Sequence, residues 1–420
     1  MGYKPKIDAI VIDVFGFSRG AALARAWANW QLGLCEQKGT DPATAQYLFA
    51  GIPLKIRFMG LFDTVASVGL SGTVAGSFLE SEGHHGWVEN NLQIHPAIAK
   101  CVHYVAAQEV RASFPLDTVR IDGQYPHNVH EVVYPGAHSD VGGGYAPNEQ
   151  GKSNAYARIP GFAMYQEALA GGVPLMNLGE LKTDAPKVYN NLMPRSDAVD
   201  AFNAYQRTVG IHSGSVESQQ RQHMVTYHGY RYQAAQFYSQ REFMQRANAK
   251  DRKWLLEGQR DFADMLQRIA LSAAKERRTK GTFPLEVLPP AHLNELENPF
   301  DSTIRKFSPQ FQPPKAALQL QALEDRLHQG GGKLMAPEQA ELDVAAIVRG
   351  LVDTPLPLPV SSFLDDYVHD SAGGFLINGE NEYSLNGYGV FKYRRMYFGN
   401  HGDQFLRDST QRQRSKAHAN

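Results

Sequence analysis

The segment from Ile7 to Ala28 constrains the fold of this chain more than any other part of the sequence. A nearly continuous apolar run covers Ile7 to Phe15, which is typical of a strand buried on both faces of a parallel sheet. The run stops at a turn, residues 16–20, and small residues that favour a helix follow directly. We therefore predict a strand, a tight turn and a helix in immediate succession.

Three further apolar runs have the length and composition of strands. They cover Lys55 to Phe62, Lys100 to Ala107 and Asn128 to Tyr134. Strands that alternate with helical stretches are the pattern of an α/β protein with a parallel sheet, and this is the predicted fold class.

The turn Gly16-Phe17-Ser18-Arg19-Gly20 fits the pattern G-x-S-x-G. In such an elbow the serine takes a strained backbone conformation, and the glycines let strand and helix approach closely. A serine hydroxyl needs a base to accept its proton and an acid to orient that base. In α/β-hydrolases these partners follow the serine in the order Asp or Glu, then His, and open parallel sheets carry their sites at the carboxyl ends of the strands. Asp63 and His138 follow two predicted strands in this order, so we predict a triad of Ser18, Asp63 and His138.

Other residues compete for these roles. Asp63 could instead cap the turn that begins at Thr64. Glu109 and Asp140 are rival acids, although we expect Asp140 to accept hydrogen bonds from backbone amides of its glycine-rich loop. The sequence His369-Asp370-Ser371 offers a rival histidine, because a triad is defined by geometry and not by sequence position. We expect a structural role there.

Composition excludes several classes of protein. The 42 Lys and Arg against 43 Asp and Glu give a net charge of −1, so no overall field attracts nucleic acid, and we predict no nucleic-acid partner. Two cysteines are too few for a disulfide scaffold or a cysteine-based zinc finger. The histidines at 84, 85, 95 and 103 lack a metal-ligand spacing, so neither a metal nor another cofactor is predicted.

The chain is predicted to be made in the cytoplasm. No apolar run approaches the roughly 18 residues of a membrane-spanning helix. The N-terminal apolar stretch contains Asp8 and Asp13 and lacks a small-residue cleavage site, unlike a secretory signal. Any export must then follow a signal-independent route.

Composition along the chain indicates three regions. Residues 1–190 are predicted to form an α/β-hydrolase core. Residues 191–354 are predicted to form a mostly helical cap or membrane-facing region, since 196–278 and 316–351 are rich in helix formers and separated by proline-containing stretches. Residues 355–420 carry hairpin turn signals at Asn378-Gly379 and Asn386-Gly387, and are expected to pack on the core.

Three stretches together resemble the α/β-hydrolase phospholipase effectors of bacterial type VI secretion and the wider hydrolase family around them. They are DVFGFSRGAALAR at 13–25, FMGLFDTVASVG at 58–69 and VYPGAHSDVGGGY at 133–145, with YVHDSAGGF at 367–375 as a looser match. The resemblance covers the first 150 residues and this short block. The helical middle carries no matching motif.

This resemblance implies a Ser-Asp-His triad at Ser18, Asp63 and His138 and phospholipase A1 or A2 activity. It also implies delivery by the secretion spike into the periplasm of a neighbouring cell, and an immunity protein in the producer. The backbone amide of Arg19 would be one oxyanion donor, and the second is not assignable.

The chain departs from the family in two ways. Gln108 stands where relatives tend to have Asp, and relatives have several strands ahead of the elbow, whereas only Met1 to Lys6 precede the first predicted strand. We therefore expect a sheet that lacks its N-terminal strands. An alternative hypothesis follows, in which the chain is an incomplete remnant or a module that needs a partner chain at its exposed sheet edge. A serine esterase or acyltransferase that acts on a different ester is a further alternative.

Overall fold

The computed structural model describes residues 6–66, 91–111, 114–121, 124–259, 356–374, 376–377, 380–381, 396–398 and 401–405. These residues belong to two compact units. The first takes its residues from Met1–Gly144, Ala155–Val199 and Arg394–Asn420, and the second from Tyr145–Asn154 and Asp200–Tyr393. The domain boundaries predicted near residues 190 and 354 stay predictions.

A six-stranded sheet forms the centre of the first unit. Its strands are β1 (Ile10–Phe17), β2 (Glu36–Lys38), β3 (Gln46–Phe49), β4 (Ile52–Phe62), β5 (Cys101–Ala106) and β7 (Val129–Tyr134). The short strand β6 (Leu116–Thr118) lies between β5 and β7 in the sequence but outside this sheet. Strands β1, β4, β5 and β7 lie side by side in this order and are parallel. Strands β2 and β3 pair antiparallel, and β3 pairs antiparallel with the first residues of β4.

The sheet is therefore mixed, which corrects the expectation of a purely parallel sheet. The hairpin between β3 and β4 turns at Ala50 and Gly51, whose φ angles are 50° and 80°. Two successive positive φ angles are typical of the tight turn that matches the twist of a hairpin, and Asn-Gly or Asp-Gly is its usual sequence. Because an alanine occupies the first position here, the sequence did not indicate the turn. The mixed α/β class is confirmed, whereas the α/β-hydrolase topology stays a prediction.

Small residues place the first helix directly on the sheet. Helix α1 (Arg19–Gly33) buries Ala21, Ala24, Ala28 and Leu32 in the same apolar cluster as residues of β4 and β5. Strand β1 begins at Ile10 and extends through Phe17, later than the predicted Ile7 to Phe15, because Gly16 and Phe17 still pair with Leu61 and Phe62 of β4. The predicted succession of strand, turn and helix is thus confirmed with shifted bounds.

Shorter elements complete the first unit. Its helices after α1 are α2 (His138–Gly142), α3 (Arg158–Ala170), α4 (Leu178–Asp184), α5 (Pro186–Leu192) and the first residues of α6 (Ser196–Val209), which continues into the second unit. The helix predicted from Pro160 to Ala170 is α3. Strand β6 pairs parallel with a C-terminal strand, Met396–Phe398, which pairs antiparallel with His401–Phe405.

The described part of the second unit is mainly helical. It contains α7 (Val216–Ala234), α8 (Glu242–Arg246), helical residues 249–259 and α9 (Leu358–Asp366). The helical prediction for 196–278 is therefore confirmed as far as residue 259, and the predictions for 260–278 and 316–351 fall outside the described residues. Strands β8 (Leu376–Ile377) and β9 (Glu380–Asn381) pair antiparallel on either side of the predicted Asn378-Gly379 turn. The second predicted turn, Asn386-Gly387, also lies outside the described residues.

Within the ranges that the structure describes, every helix is too short or too polar to cross a membrane.

Candidate active site

Ser18 lies between β1 and α1 in a conformation that few residues adopt. Its φ of 59° and ψ of −125° place it outside the ordinary regions for L-residues, where conformational strain is common at functional sites. The Ser18 amide donates to the Phe62 carbonyl at 2.9 Å, and the Ser18 carbonyl accepts from Ala21 and Ala22 of α1. Its hydroxyl does not cap the helix. Ser18 as a whole is partly exposed.

Gly16 is the residue that makes this turn possible. A Cβ at position 16 would lie 2.5 Å from the Gly20 carbonyl oxygen and 2.7 Å from the Ala21 amide nitrogen. Atoms do not approach backbone so closely, so strand and helix would have to separate. The first glycine of the elbow is therefore needed for close packing of β1 and α1.

Asp63 lies at the carboxyl end of β4 and is fully buried. Its φ of 43° is also positive, which is uncommon for a residue with a side chain. The Asp63 amide donates to the Tyr104 carbonyl at 2.7 Å, and the Ala106 amide donates to Asp63 Oδ1 at 2.9 Å. These bonds from the end of β5 hold the carboxylate in one orientation.

His138 is the first residue of α2, directly after the loop that follows β7. Its ring Nδ1 lies 2.5 Å from Asp63 Oδ2. The ring is 3% exposed and is flanked by Phe17, at 4.5 Å between centroids, and by Phe114, edge-on at 5.1 Å. Burial lowers the pKa of His138 below its ordinary value, and the Arg111 cation acts in the same direction, whereas the Asp63 carboxylate opposes both. The imidazole is therefore held neutral, as a general base must be.

The structure joins Asp63 to His138 and places Ser18 beside them. Phe17, the residue before Ser18, contacts the His138 ring, and the Ser18 amide is bonded to the residue before Asp63. Within the described residues, the Ser18 hydroxyl and His138 Nε2 share no hydrogen bond. Such bonds are often long without substrate and shorten in the reactive complex.

The rival acids have other partners. Glu109 Oε1 and Oε2 accept from the Arg111 guanidinium, both at 2.9 Å, and Glu109 Oε2 also accepts from the backbone amide of His138 at 3.3 Å. Asp140 Oδ2 accepts from the Ala137 amide at 3.0 Å, in accord with the backbone role expected for it. In this arrangement Asp63 faces the imidazole nitrogen and Glu109 faces the backbone of the same histidine.

The rival histidine has a structural environment in the second unit. His369 stacks on Tyr145 with ring centroids 3.9 Å apart. Its neighbour Asp370 pairs with the buried Arg231 at 2.7 Å, and its backbone exchanges two hydrogen bonds with the Gln150 side chain. Asp370 therefore anchors a buried cluster.

Gln108, at the position where the resemblance led us to expect Asp, joins the ends of β5 and β7. Its side-chain Oε1 accepts from the Gly136 amide, and its own amide donates to the Gly136 carbonyl at 2.9 Å. The loop that leads to His138 is thus fastened by an uncharged side chain.

The candidate oxyanion donor, the Arg19 amide, belongs to the first residue of α1. The first amides of a helix have no acceptor within the helix and carry the positive end of its dipole, so this N–H is suited to a developing negative charge. No second donor is assigned.

Sequence reasoning missed the groups that surround the histidine, namely Phe17, Phe114 and Arg111. Phe17 is part of the elbow motif, so its position beside Ser18 was visible in the sequence, but its contact with His138 depends on sheet geometry. Among the described residues, no cluster of three or more His, Cys, Asp or Glu side chains could hold a metal ion.

Comparison with known proteins identifies a related family. Residues 37–167 match the family model described as "T6SS, Phospholipase effector Tle1-like, catalytic domain". The predicted resemblance to type VI phospholipase effectors is confirmed over this range, which contains Asp63 and His138 and begins after the Ser18 elbow. No curated protein sequence matches the chain.

Two solved structures are similar to the chain. An uncharacterized protein from Pseudomonas aeruginosa has 25% sequence identity and a TM-score of 0.61, over 94% of this chain and 58% of its own. The Tle1 effector bound to the VgrG spike of the type 6 secretion system has 36% identity and a TM-score of 0.24, over 33% of this chain and 26% of its own. The chain thus spans less than two thirds of each of these proteins.

Proposed function

We propose that the protein is a serine hydrolase that cleaves acyl esters of phospholipids. In this mechanism His138 Nε2 accepts the proton of the Ser18 hydroxyl as Ser18 Oγ attacks the ester carbonyl. The Arg19 amide stabilises the oxyanion, and the protonated His138 then gives its proton to the leaving alcohol. Water then attacks the acyl-enzyme with His138 again as the base. The protonated His138 returns the proton to Ser18 Oγ as the acyl group leaves as the free acid.

The observation that carries this proposal is the buried contact between Asp63 Oδ2 and His138 Nδ1 at 2.5 Å. A carboxylate at Nδ1 requires the proton there, which leaves the Nε2 lone pair to act as the base. Ser18 has a strained backbone, and its hydroxyl makes no capping bond to α1. It supplies the nucleophile at the same carboxyl end of the parallel strands.

The substrate class and the route of delivery are proposed from the family match. A domain similar to the catalytic domain of Tle1-like phospholipase effectors is proposed to act as a phospholipase A1 or A2 with antibacterial effect. We further propose that the protein is made in the cytoplasm, binds a secretion spike protein, reaches the periplasm of a target cell by a signal-independent route, and is neutralised by an immunity protein. Residues 191–354, which the sequence predicts to be mostly helical, are proposed as a lid or membrane-facing cap.

The decisive experiment compares Ser18→Ala with Ser139→Ala. Both variants remove a serine hydroxyl from the first unit, but Ser139 lies in α2 after the histidine and not at the elbow. The purified full chain is assayed on phospholipid vesicles and on a short-chain p-nitrophenyl ester. We expect Ser18→Ala to lower kcat by a factor on the order of 10⁶, as for loss of the serine in a triad, and Ser139→Ala to retain activity.

Each other outcome corrects a specific part of the proposal. Full activity of Ser18→Ala on either substrate would exclude the serine mechanism. Hydrolysis of the p-nitrophenyl ester without release of fatty acid from vesicles would support the mechanism and overturn the phospholipid assignment. Activity only after addition of a second protein would support the partner-dependent alternative.

A further inference from the structure

A second buried histidine–carboxylate pair lies in the same sheet as the candidate site. His103 on β5 and Glu131 on β7 face each other, with Nδ1 2.8 Å from Oε1, and both side chains are completely buried. Glu131 Oε1 also accepts from the Val119 amide at 3.1 Å, and Oε2 accepts from the Thr118 hydroxyl at 2.8 Å. Burial raises the pKa of Glu131, whereas its contacts with His103, Thr118 and Val119 lower it, and the net shift of the pKa is downward. The carboxylate is therefore ionised.

The other ring nitrogen of His103 determines its tautomer. The backbone amide of Thr64 points at His103 Nε2 at 3.0 Å, and the Thr64 hydroxyl also lies 3.0 Å from it. An N–H can donate only to a lone pair, so Nε2 carries no proton. The ring proton then lies on Nδ1 and is donated to Glu131. His103 is thus a neutral acceptor fixed by Glu131.

Thr64 directly follows Asp63 and forms the next attachment to β5 of the turn after β4, after the two bonds that join Asp63 to Tyr104 and Ala106. Asp63 has a positive φ, so this turn adopts a conformation that must be imposed by its surroundings. The Thr64 amide is held by His103 Nε2, the Thr64 carbonyl accepts from the Asp117 amide at 3.0 Å, and the Ala66 amide donates to Asp117 Oδ2 at 3.1 Å.

The same network reaches the helix that carries the serine. The buried Arg25 of α1 donates to the carbonyls of Asp117 at 2.7 Å and Thr118 at 3.0 Å. Thr118 in turn donates to Glu131. A continuous set of buried hydrogen bonds therefore connects α1, the segment 117–118, the His103–Glu131 pair and the turn that follows Asp63.

We propose that His103, held by Glu131 with its proton on Nδ1, is a positioning residue that fixes the turn carrying Asp63 and so the orientation of the His138 ring. This inference rests on the proposed function, in which Asp63 orients His138. His103 is not itself a base of the reaction, because its Nε2 lone pair is already used by the Thr64 amide.

The first test is spectroscopic and is read on the wild-type protein. The full chain labelled with ¹⁵N at histidine is examined by NMR at neutral pH, with assignment by loss of the signal in His103→Gln. We expect the histidine assigned to His103 to have a protonated Nδ1 and an unprotonated Nε2. A protonated Nε2 at His103 would overturn the proposal, because the Thr64 amide would then have no acceptor there.

The second test is kinetic and uses three replacements of different design. His103→Phe removes both ring nitrogens, His103→Gln retains an acceptor for the Thr64 amide, and Asp13→Asn serves as the control. Asp13 on β1 forms an ion pair with Arg57 of β4 in the same sheet, at 2.5 Å, and its backbone pairs with Phe58, five residues before Asp63. We expect His103→Phe to lower kcat by about 10- to 100-fold with little change in KM, since misplacement of a catalytic group affects mainly the chemical step. His103→Gln should recover most of this loss, and Asp13→Asn should leave kcat unchanged.

A double variant separates the inference from the function on which it rests. If His103 acts through Asp63, His103→Phe should cause no further loss of kcat when it is added to Asp63→Asn. Full additivity of the two losses, or a lower melting temperature with unchanged kcat in soluble His103→Phe, would overturn the positioning role. Unchanged kcat in Asp63→Asn alone would instead overturn the proposed triad, whatever the result at His103.

Discussion

Two buried histidine–carboxylate pairs among the described residues have the same kind of contact at Nδ1 but differ at Nε2. Asp63 lies 2.5 Å from His138 Nδ1, and Glu131 lies 2.8 Å from His103 Nδ1. Nε2 of His103 is occupied by the Thr64 amide, whereas no described residue forms a hydrogen bond to Nε2 of His138. A carboxylate beside an imidazole is therefore not sufficient for a catalytic role. The lone pair on the opposite nitrogen must also be available to a substrate or nucleophile.

The surroundings of the two rings explain the difference. His103 lies inside β5, where its Nδ1 faces the Glu131 carboxylate of β7 and its Nε2 faces the Thr64 amide. His138 lies beyond the end of β7, where Phe17 and Phe114 cover the ring without offering it a donor. Aromatic rings thus bury His138 while its Nε2 stays unoccupied.

The largest expected effect comes from neutralising the two carboxylates in turn. Asp63→Asn should lower kcat by about 10⁴-fold, because an amide at this position favours the wrong imidazole tautomer. Glu131→Gln should lower kcat far less, since Glu131 acts on the site only through His103 and Thr64. The measurements are kcat and KM on a p-nitrophenyl ester together with the melting temperature of each variant. Equal losses of kcat in the two variants would show that the pairs do not differ as described.

A smaller effect is expected from disturbing the aromatic cover of His138. A Cβ at Gly142 of α2 would lie 2.0 Å from the ring of Phe17, so Gly142→Ala must displace this ring or the helix. We expect a loss of about 1–3 kcal/mol in the free energy of unfolding, as for other overpacked sites. Because Phe17 contacts His138, kcat should also fall, by up to about 10²-fold.

Gly161→Ala is the matched control for this change. A Cβ at Gly161 of α3 would have no atom within 4 Å, and its backbone is helical. This variant should retain kcat and should gain slightly in stability, by about 0.5–1 kcal/mol. Urea unfolding and kcat are measured for both variants. If Gly142→Ala matched Gly161→Ala in both quantities, the contact between Phe17 and α2 would have no role in the site.

The smallest expected effect is a shift in the pH profile. Burial lowers the pKa of His138, so the ring should stay neutral somewhat below pH 6.5, its ordinary value, and the acidic limb of kcat/KM should lie below that pH. The same shift makes folding less favourable as the pH falls from 6.5 through the lowered pKa, because the unfolded chain binds the proton first. Phe114→Ala exposes the ring to water and should move the acidic limb upward, toward 6.5. A limb above 6.5 in the wild-type protein, or a downward shift in Phe114→Ala, would contradict this account of the His138 environment.

The sequence predicted much of the fold because its signals were local. The apolar runs before Ser18, Asp63 and His138 each became a parallel strand, and the small residues after Ser18 became the helix packed on them. The hairpin at Ala50-Gly51 was missed because its turn lacks the usual residues. Helix α2 was missed because its five residues lie in a glycine-rich stretch that we interpreted as a loop.

For the candidate site, the sequence determined which residue types stand at the ends of strands, and in which order, because strand ends and tight turns are set by neighbouring residues. Only the tertiary structure decided which of these side chains meet. Asp63 and His138 are 75 residues apart, and Thr64 and His103 are 39 apart, so their contacts depend on strand order and register in the sheet. The physical reason is that the pairing of distant strands sets what surrounds each ring. It places Nε2 of His103 against the Thr64 amide, and it places His138 beyond the carboxyl end of β7. The sequence placed His138 after a strand and His103 within one, but it did not show which groups face their ring nitrogens.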